Sequence, residues 1–246
     1  ADLVMAAVEA RRPTEEGTER FERDLSEAKM LLADGANKPF MDLYFTDPQH
    51  GFIVGAYNLI FYTEDGGQRW RPWMEHTDNP EAHHLYRLVS AGNDLFLAGE
   101  LGLLLRSTDR GNTFSAIAAP YEGSYFGLIG LKSEQLIAYG LRGHAFRSTD
   151  RGTTWTPVNT GVQASISDAI ELKDGTLLLL TQSGQILASH DQAGSFSIVS
   201  MEASFPFSSA AQAQNGDLVL VGARGVKVVS ASQLAHTVDK ISGDRK

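Results

Sequence analysis

Ser148-Thr-Asp150-Arg-Gly152-Thr-Thr154-Trp155 is not a unique phrase in this chain of 246 residues. A near copy stands at Ser107-Thr-Asp109-Arg-Gly111-Asn-Thr113-Phe114, and a looser one at Thr63-Glu-Asp65-Gly-Gly67-Gln-Arg69-Trp70. A worn version follows at Ser189-His-Asp191-Gln-Ala193-Gly-Ser195-Phe196. The four aspartates are separated by 44, 41 and 41 residues. One more step of 41 reaches Ser232, inside Ser230-Ala-Ser232, where the phrase has decayed. Self-similarity at a period near 41 marks a stacked or circular repeat architecture.

Each unit has the same internal order. A short apolar run precedes a framing residue at Gly55, Gly99, Gly140, Thr181 and Gly222. Runs such as Thr176-Leu-Leu-Leu179, bounded by glycine, asparagine and aspartate, read as buried strands. A second strand lies upstream in each unit, joined to the first by turn signals such as Asp174-Gly175 and Asn215-Gly216. A third strand leads into the repeated phrase, and its aromatic opens a fourth. Four strands per repeat predict an all-β fold, a β-propeller of five visible blades. The blades are placed at 40–81, 82–122, 123–163, 164–204 and 205–241, with residues 1–39 as a separate segment.

The phrase resembles the Asp-box, or BNR repeat. In it Asp65, Asp109, Asp150 and Asp191 are expected to accept backbone N–H bonds within a turn. Gly67, Gly111 and Gly152 supply a conformation that a Cβ disfavours. Trp70, Phe114, Trp155 and Phe196 bury apolar area worth roughly 2–3 kcal/mol each. These residues are read as structural staples rather than catalysts.

Composition narrows the function. The chain has no cysteine, which excludes disulfides and thiolate sites. A net charge of −9 argues against nucleic acid. No run of 18 apolar residues is present to span a membrane. The chain begins at Ala1, which suggests a removed leader or a piece of a longer protein. Thr14 to Leu32 reads as an amphipathic helix, with Phe21, Leu25, Ala28 and Leu32 on one face. The opposite face is charged, with Glu15, Glu16, Glu19, Glu22 and Glu27 against Arg20, Arg23 and Lys29. Such a helix packs on the propeller or docks a partner. Asp2 to Val8 reads as a strand left from an earlier blade.

Beyond the box, the units carry Gly-x-x-Gly ahead of the third strand: Gly99-Glu-Leu-Gly102, Gly140-Leu-Arg-Gly143 and Gly222-Ala-Arg-Gly225. This grammar resembles the photosystem II stability/assembly factor family and its bacterial relatives. The resemblance covers about residues 40–235. It implies a non-enzymatic, periplasmic or otherwise extracytoplasmic scaffold that helps assemble a membrane protein complex. The chain is further expected to be a monomer without cofactor or metal. Relatives in that family typically have seven blades, so five departs from the pattern. Asp-boxes also occur in sialidases and xyloglucan-type glycosidases, which leaves a glycan-binding or glycan-cleaving propeller as the alternative.

Candidate binding residues lie in the turns between strands two and three, read as equivalent positions: Asn58, Glu100, Arg142, Gln182 and Arg224. The two arginines suit a carboxylate, a phosphate or an acidic partner segment. On the inner strands, Asp42 and Asp168 are the pair that hydrolysis would need. His76, His83 and His84 share one loop, with spacing that matches no tetrahedral site.

Overall fold

Stretches of two to seven residues form 19 strands among the described residues, the longer ones mostly apolar. The structure, a computed structural model, describes residues 1–10, 18–199 and 205–234. It divides into two compact units, residues 1–88 and 89–246. The first sheet is β1 (Phe40–Phe45), β2 (Gly51–Gly55), β3 (Ile60–Thr63) and β4 (Arg71–Pro72). The second is β5 (Leu85–Ala91), β6 (Asp94–Gly99), β7 (Leu104–Ser107) and β8 (Ser115–Ala116). The third is β9 (Tyr125–Gly130), β10 (Leu136–Gly140), β11 (Ala145–Ser148) and β12 (Thr156–Val158). The fourth is β13 (Ile166–Glu171), β14 (Leu177–Thr181), β15 (Ile186–Ser189) and β16 (Ser197–Val199). The fifth contains β17 (Phe207–Gln212), β18 (Leu218–Gly222) and β19 (Gly225–Val229).

Each sheet is an antiparallel meander with its strands in sequence order. These are the five blades of an all-β propeller, and the first strand of each begins within three residues of the blade start expected from the sequence. The fifth blade shows three strands among the described residues, and where its box has decayed Ala231–Leu234 is helical. The tails of the expected fourth and fifth blades, residues 200–204 and 235–241, lie outside the described residues.

The Asp-box turns are closed by one repeated set of bonds. In blade three the Ser148 hydroxyl donates to Asp150 Oδ1 at 2.8 Å and accepts the Gly152 N–H at 2.8 Å. The Thr154 N–H reaches Asp150 Oδ1 at 2.8 Å, and its hydroxyl reaches Oδ2 at 2.6 Å. Blade four repeats this with Ser189, Ala193 and Ser195 around Asp191, although Ala193 stands in the glycine position at φ +65°. In blade one Arg69 replaces the threonine, so the chain supplies its N–H there without a hydroxyl.

These bonds favour the charged carboxylate. The Thr154 hydroxyl, the Thr154 N–H and the Ser148 hydroxyl hold Asp150 down at about 2. At Asp191 partial burial pulls upward, but the hydroxyls of Ser195 and Ser189 and the Ser195 N–H outweigh it and leave about 2. An unfolded aspartate titrates near ~3.9. A depressed folded value therefore contributes stability above that pH and loses it as pH falls toward 2. Acid titration followed by tryptophan fluorescence is expected to loosen the blades between about pH 4 and pH 2. Asp150→Asn and Asp191→Asn together should flatten that dependence; an unchanged acid limb would show that other carboxylates set it.

At the end of each blade that carries the box, lysines join neighbouring blades. Lys132 Nζ donates to the carbonyl of Leu172 at 2.9 Å, and its N–H to Glu171 Oε2 at 2.8 Å. One repeat later, Lys173 Nζ reaches the carbonyls of Ala213 and Gln214 at 3.1 and 2.7 Å, and its N–H reaches Gln212 Oε1 at 2.8 Å. Lys173→Met keeps the aliphatic stem and removes these charge-assisted bonds. It is expected to cost about 1–2 kcal/mol in urea unfolding; a change below about 0.3 kcal/mol would show the clasp to be solvated.

In the first unit, α1 (Asp2–Glu9) and α2 (Thr18–Asp34) cover one face of blade one. Val4, Val8 and Ala28 are buried with Leu59 and Phe61, and Phe21, Leu25 and Leu31 pack beside them. The expected strand over Asp2–Val8 is therefore a helix: Val4 and Val8 lie four apart on one helical face. Leu31, not Leu32, carries the last turn of the apolar stripe, and Leu32 is 44% exposed. Thr14 to Gly17, the expected helix start, lie outside the described residues. So do the side chains of Glu15, Glu16, Glu19, Arg20, Arg23 and Glu27, most of the expected charged face.

Candidate functional site

In a four-stranded meander, the turn between strands two and three and the link to the next blade share one end. The box turns occupy the other end. The backbone sorts the first set of turns into two registers. Asn58, Gly102, Gly143, Gly184 and Gly225 all have positive φ and close the turn. One residue earlier stand Tyr57, Leu101, Arg142, Ser183 and Arg224. Two residues earlier stand Ala56, Glu100, Leu141, Gln182 and Ala223. The five candidates are thus not one equivalent set. Arg142 and Arg224 share a position, Glu100 and Gln182 share another, and Asn58 stands where four blades have glycine.

That difference fixes what Asn58 does. Glycine is needed here because the next loop comes close: a Cβ at Gly143 would lie 2.2 Å from the Val162 carbonyl oxygen. Asparagine tolerates the left-handed region better than most residues. The Asn58 amide donates to Thr77 Oγ1 at 3.0 Å and accepts from the Asn79 amide at 3.0 Å. It is 9% exposed, so the outward group of this turn is Tyr57, at 58%.

Arg142 and Arg224 are exposed, and neither makes an ion pair among the described residues. Arg142 is held at φ +58°, with its N–H 3.4 Å from Ser165 Oγ. The Leu101 N–H meets Ser124 Oγ at the same 3.4 Å. Ser124 and Ser165 are 41 residues apart, and each fixes the preceding blade's turn from the inter-blade link. The sequence reading missed them; their spacing was the available signal.

A cavity of about 490 Å³ opens at this end of the second unit. Phe126, Ser167 and Ser208, again 41 apart, line it from the inner strands. Gln182 and Ala223 line it from the turns, and Pro206-Phe207 closes one side. Ser167 is fixed, its hydroxyl donating to the Phe207 carbonyl at 2.7 Å. No carboxylate is among the described lining residues. Arg224 follows Ala223 directly, and Glu100 belongs to another blade's turn. The arrangement offers amide and hydroxyl groups, two aromatic side chains and nearby positive charge, which suits an extended polar or acidic segment.

Asp42 and Asp168, the pair that hydrolysis would need, lie in different units, and each is engaged in hydrogen bonds. Asp168 is buried and accepts the Ser209 hydroxyl at 2.6 Å and the Ala210 N–H at 2.9 Å. Asp42, in the first unit, accepts the Leu88 N–H at 2.9 Å, with Arg87 Nε at 3.8 Å. Each carboxylate holds the next blade's inner strand. The histidines also divide their work. His76 stacks on Trp73 at 3.6 Å, His83 takes part through its backbone with Asn79, and His84 Nδ1 accepts the Tyr57 N–H. Among the described residues no three His, Asp or Glu side chains gather as a metal site. No described helix is long and apolar enough to cross a membrane.

A family model described as the photosynthesis system II assembly factor YCF48 matches residues 29–178. The photosystem II assembly lipoprotein Ycf48 of Synechococcus sp. (strain CC9902) is 36% identical over 77 residues, 31% of this chain and 23% of that protein. The chloroplastic photosystem II stability/assembly factor HCF136 of Oryza sativa subsp. japonica is 27% identical over 93 residues, 36% of this chain and 22% of that one. The matches thus span less than a quarter of these curated relatives. Among solved structures, YCF48 bound to D1 peptide shares the fold with a TM-score of 0.66 and 19% identity, covering 79% of this chain and 64% of its own.

Proposed function

The chain belongs to the photosystem II assembly factor Ycf48 family, and from that premise we propose that it is a non-enzymatic, protein-binding propeller that helps assemble a membrane protein complex. The observation that carries this reading is the cavity lined by Phe126, Ser167, Gln182 and Ser208, with no carboxylate among its described lining residues and next to Arg224. Arg142 on another turn extends the positive face. A groove of this kind recognises an extended segment through backbone bonds and charge rather than cleaving it. The solved relative bound to a D1 peptide supports a peptide as the ligand class. An extracytoplasmic site of action is supported by the relatives described as a lipoprotein and as chloroplastic.

The test is recovery of the tagged protein from its own host after mild membrane solubilisation, beside Arg142→Glu/Arg224→Glu. A membrane protein recovered at near-stoichiometric yield, and reduced at least tenfold in the charge-reversed variant, is the expected result. Circular dichroism should show the variant folded. Equal recovery by both proteins would remove the arginines from the site. No partner with either, together with cleavage of a β-glucan or sialoside, would overturn the reading in favour of the glycan alternative.

A further inference from the structure

Three of the turns between strands two and three hold a bulky side chain where the backbone is left-handed. Tyr57, Leu101 and Arg142 have φ of +55°, +50° and +58°, each followed by a second positive-φ residue. A two-residue turn of this kind strongly favours glycine, asparagine or aspartate. Tyr57 is accounted for by His84, which meets its ring edge-on at 4.5 Å. Arg142 brings the charge that the site uses. Leu101 opposes the backbone preference and gains little burial in return, since it is 60% exposed. A strained apolar residue that keeps most of its surface in water points to a contact outside the chain.

The fold ties Leu101 to Arg142. The Leu101 N–H meets Ser124 Oγ at 3.4 Å, and the Ser124 carbonyl accepts the Leu141 N–H at 3.2 Å, so one serine bridges the two turns. The same link carries Tyr121, whose ring stacks on His144 with centroids 4.4 Å apart. His144 is exposed and stands two residues past Arg142. Beyond Arg142 the device repeats. Ser165 Oγ faces the Arg142 N–H, and the Ser165 carbonyl accepts the Gln182 N–H at 2.9 Å. Gln182 lines the cavity. An apolar tip, a stacked ring pair and a guanidinium thus lead toward the cavity, all within the second unit.

We infer that Leu101 is an apolar anchor for the partner's segment, and that this segment carries a bulky apolar side chain two residues from a carboxylate. Residues two apart point to the same side of an extended chain. One serine and two hydrogen bonds separate the turns, a gap that about two or three extended residues cross at ~3.3 Å each. The inference rests on the reading of this end as a peptide site, and adds what the segment must contain besides negative charge.

Isotope-labelled protein should be titrated with acetyl-Ala-Leu-Ala-Asp-Ala-amide and with two relatives, one with serine for the leucine and one with asparagine for the aspartate. The backbone N–H resonances of Leu101, Leu141 and Gln182 report on the strip. The first peptide is expected to shift them saturably at millimolar or lower concentration, with each relative at least fivefold weaker. Leu101→Asn puts a residue suited to the turn in place of one that is not, so its urea midpoint should hold or rise. That variant should bind the leucine and serine peptides alike. A leucine preference that persists in Leu101→Asn would overturn the inference, as would the absence of any shift at tens of millimolar peptide. A fall in the variant's urea midpoint would also overturn it, by assigning Leu101 to packing within the chain. Equal binding of the leucine and serine peptides by the unaltered protein, with the asparagine peptide weaker, would overturn the anchor and leave the arginine site standing. An asparagine peptide as tight as the aspartate one would overturn both.

Discussion

Gly140→Ala is expected to cost at least about 3 kcal/mol of stability, among the largest losses a single methyl group can cause here. The reason is distance. A Cβ at Gly140 would stand 2.2 Å from the Ser124 carbonyl oxygen and 2.9 Å from both Phe126 N and Tyr125 Cα. All three are backbone atoms, which cannot rotate away as a side-chain end can. Relief requires β9 and β10 to part where their register already shifts, between Tyr139 and Gly140. Gly55 and Gly222 meet the same obstacle, with Pro39 and Pro206 oxygens at 2.4 and 2.1 Å. The displaced residue matters for function too, since the Ser124 carbonyl accepts the Leu141 N–H at 3.2 Å and its hydroxyl faces the Leu101 N–H. Gly161→Ala is the control. Nothing lies within 4 Å of that Cβ, and only its φ of +70° opposes the change, at about 1 kcal/mol. Urea midpoints should separate the two variants clearly. Equal losses would mean that the strands tolerate the approach.

The same contacts show what a sequence can and cannot disclose about this molecule. Blades were legible because Asp65, Asp109, Asp150 and Asp191 each close a local turn. The evidence for such a turn lies within eight consecutive residues. Lys132 and Lys173 were not legible, although 41 residues separate them, because each acts on carbonyls of the following blade. Ser124 and Ser165 were overlooked for the same reason. The turn candidates were found, but their register was not. Only the positive φ at Asn58, Gly102, Gly143, Gly184 and Gly225 shows that the arginines share one position and Glu100 and Gln182 another. Asp2 to Val8 was misread because an eight-residue helix offers two buried valines and little else. Its identity depends on packing against Leu59 and Phe61, which no local pattern reveals.

Asp168→Ala is expected to destabilise the second unit by about 3 kcal/mol, and Asp168→Asn by about 1 kcal/mol. Alanine leaves the half-buried Ala210 N–H and Ser209 hydroxyl without their acceptor, which costs more than the bonds themselves contribute. Asparagine can keep one acceptor oxygen for both donors, since both bond Oδ2, and its amide then faces the Tyr139 hydroxyl. A catalytic carboxylate would behave in the opposite way: the asparagine variant would stay fully stable and lose its chemistry. The inner-strand register explains why this aspartate is structural. Its positions are Asp42, Tyr86, Gly127, Asp168 and Ser209. At Gly127 the missing side chain is replaced by the Tyr139 hydroxyl, which would lie 2.2 Å from a Cβ there and comes within 3.5 Å of Asp168 Oδ1. Asp168 therefore draws in blade three through Tyr139 and blade five through Ser209 and Ala210. Tyr139→Phe should cost less than Asp168→Ala, and the two losses should not add, because they share one carboxylate. Strict additivity in that double variant would separate the two contacts and confine the role of Asp168 to blade five.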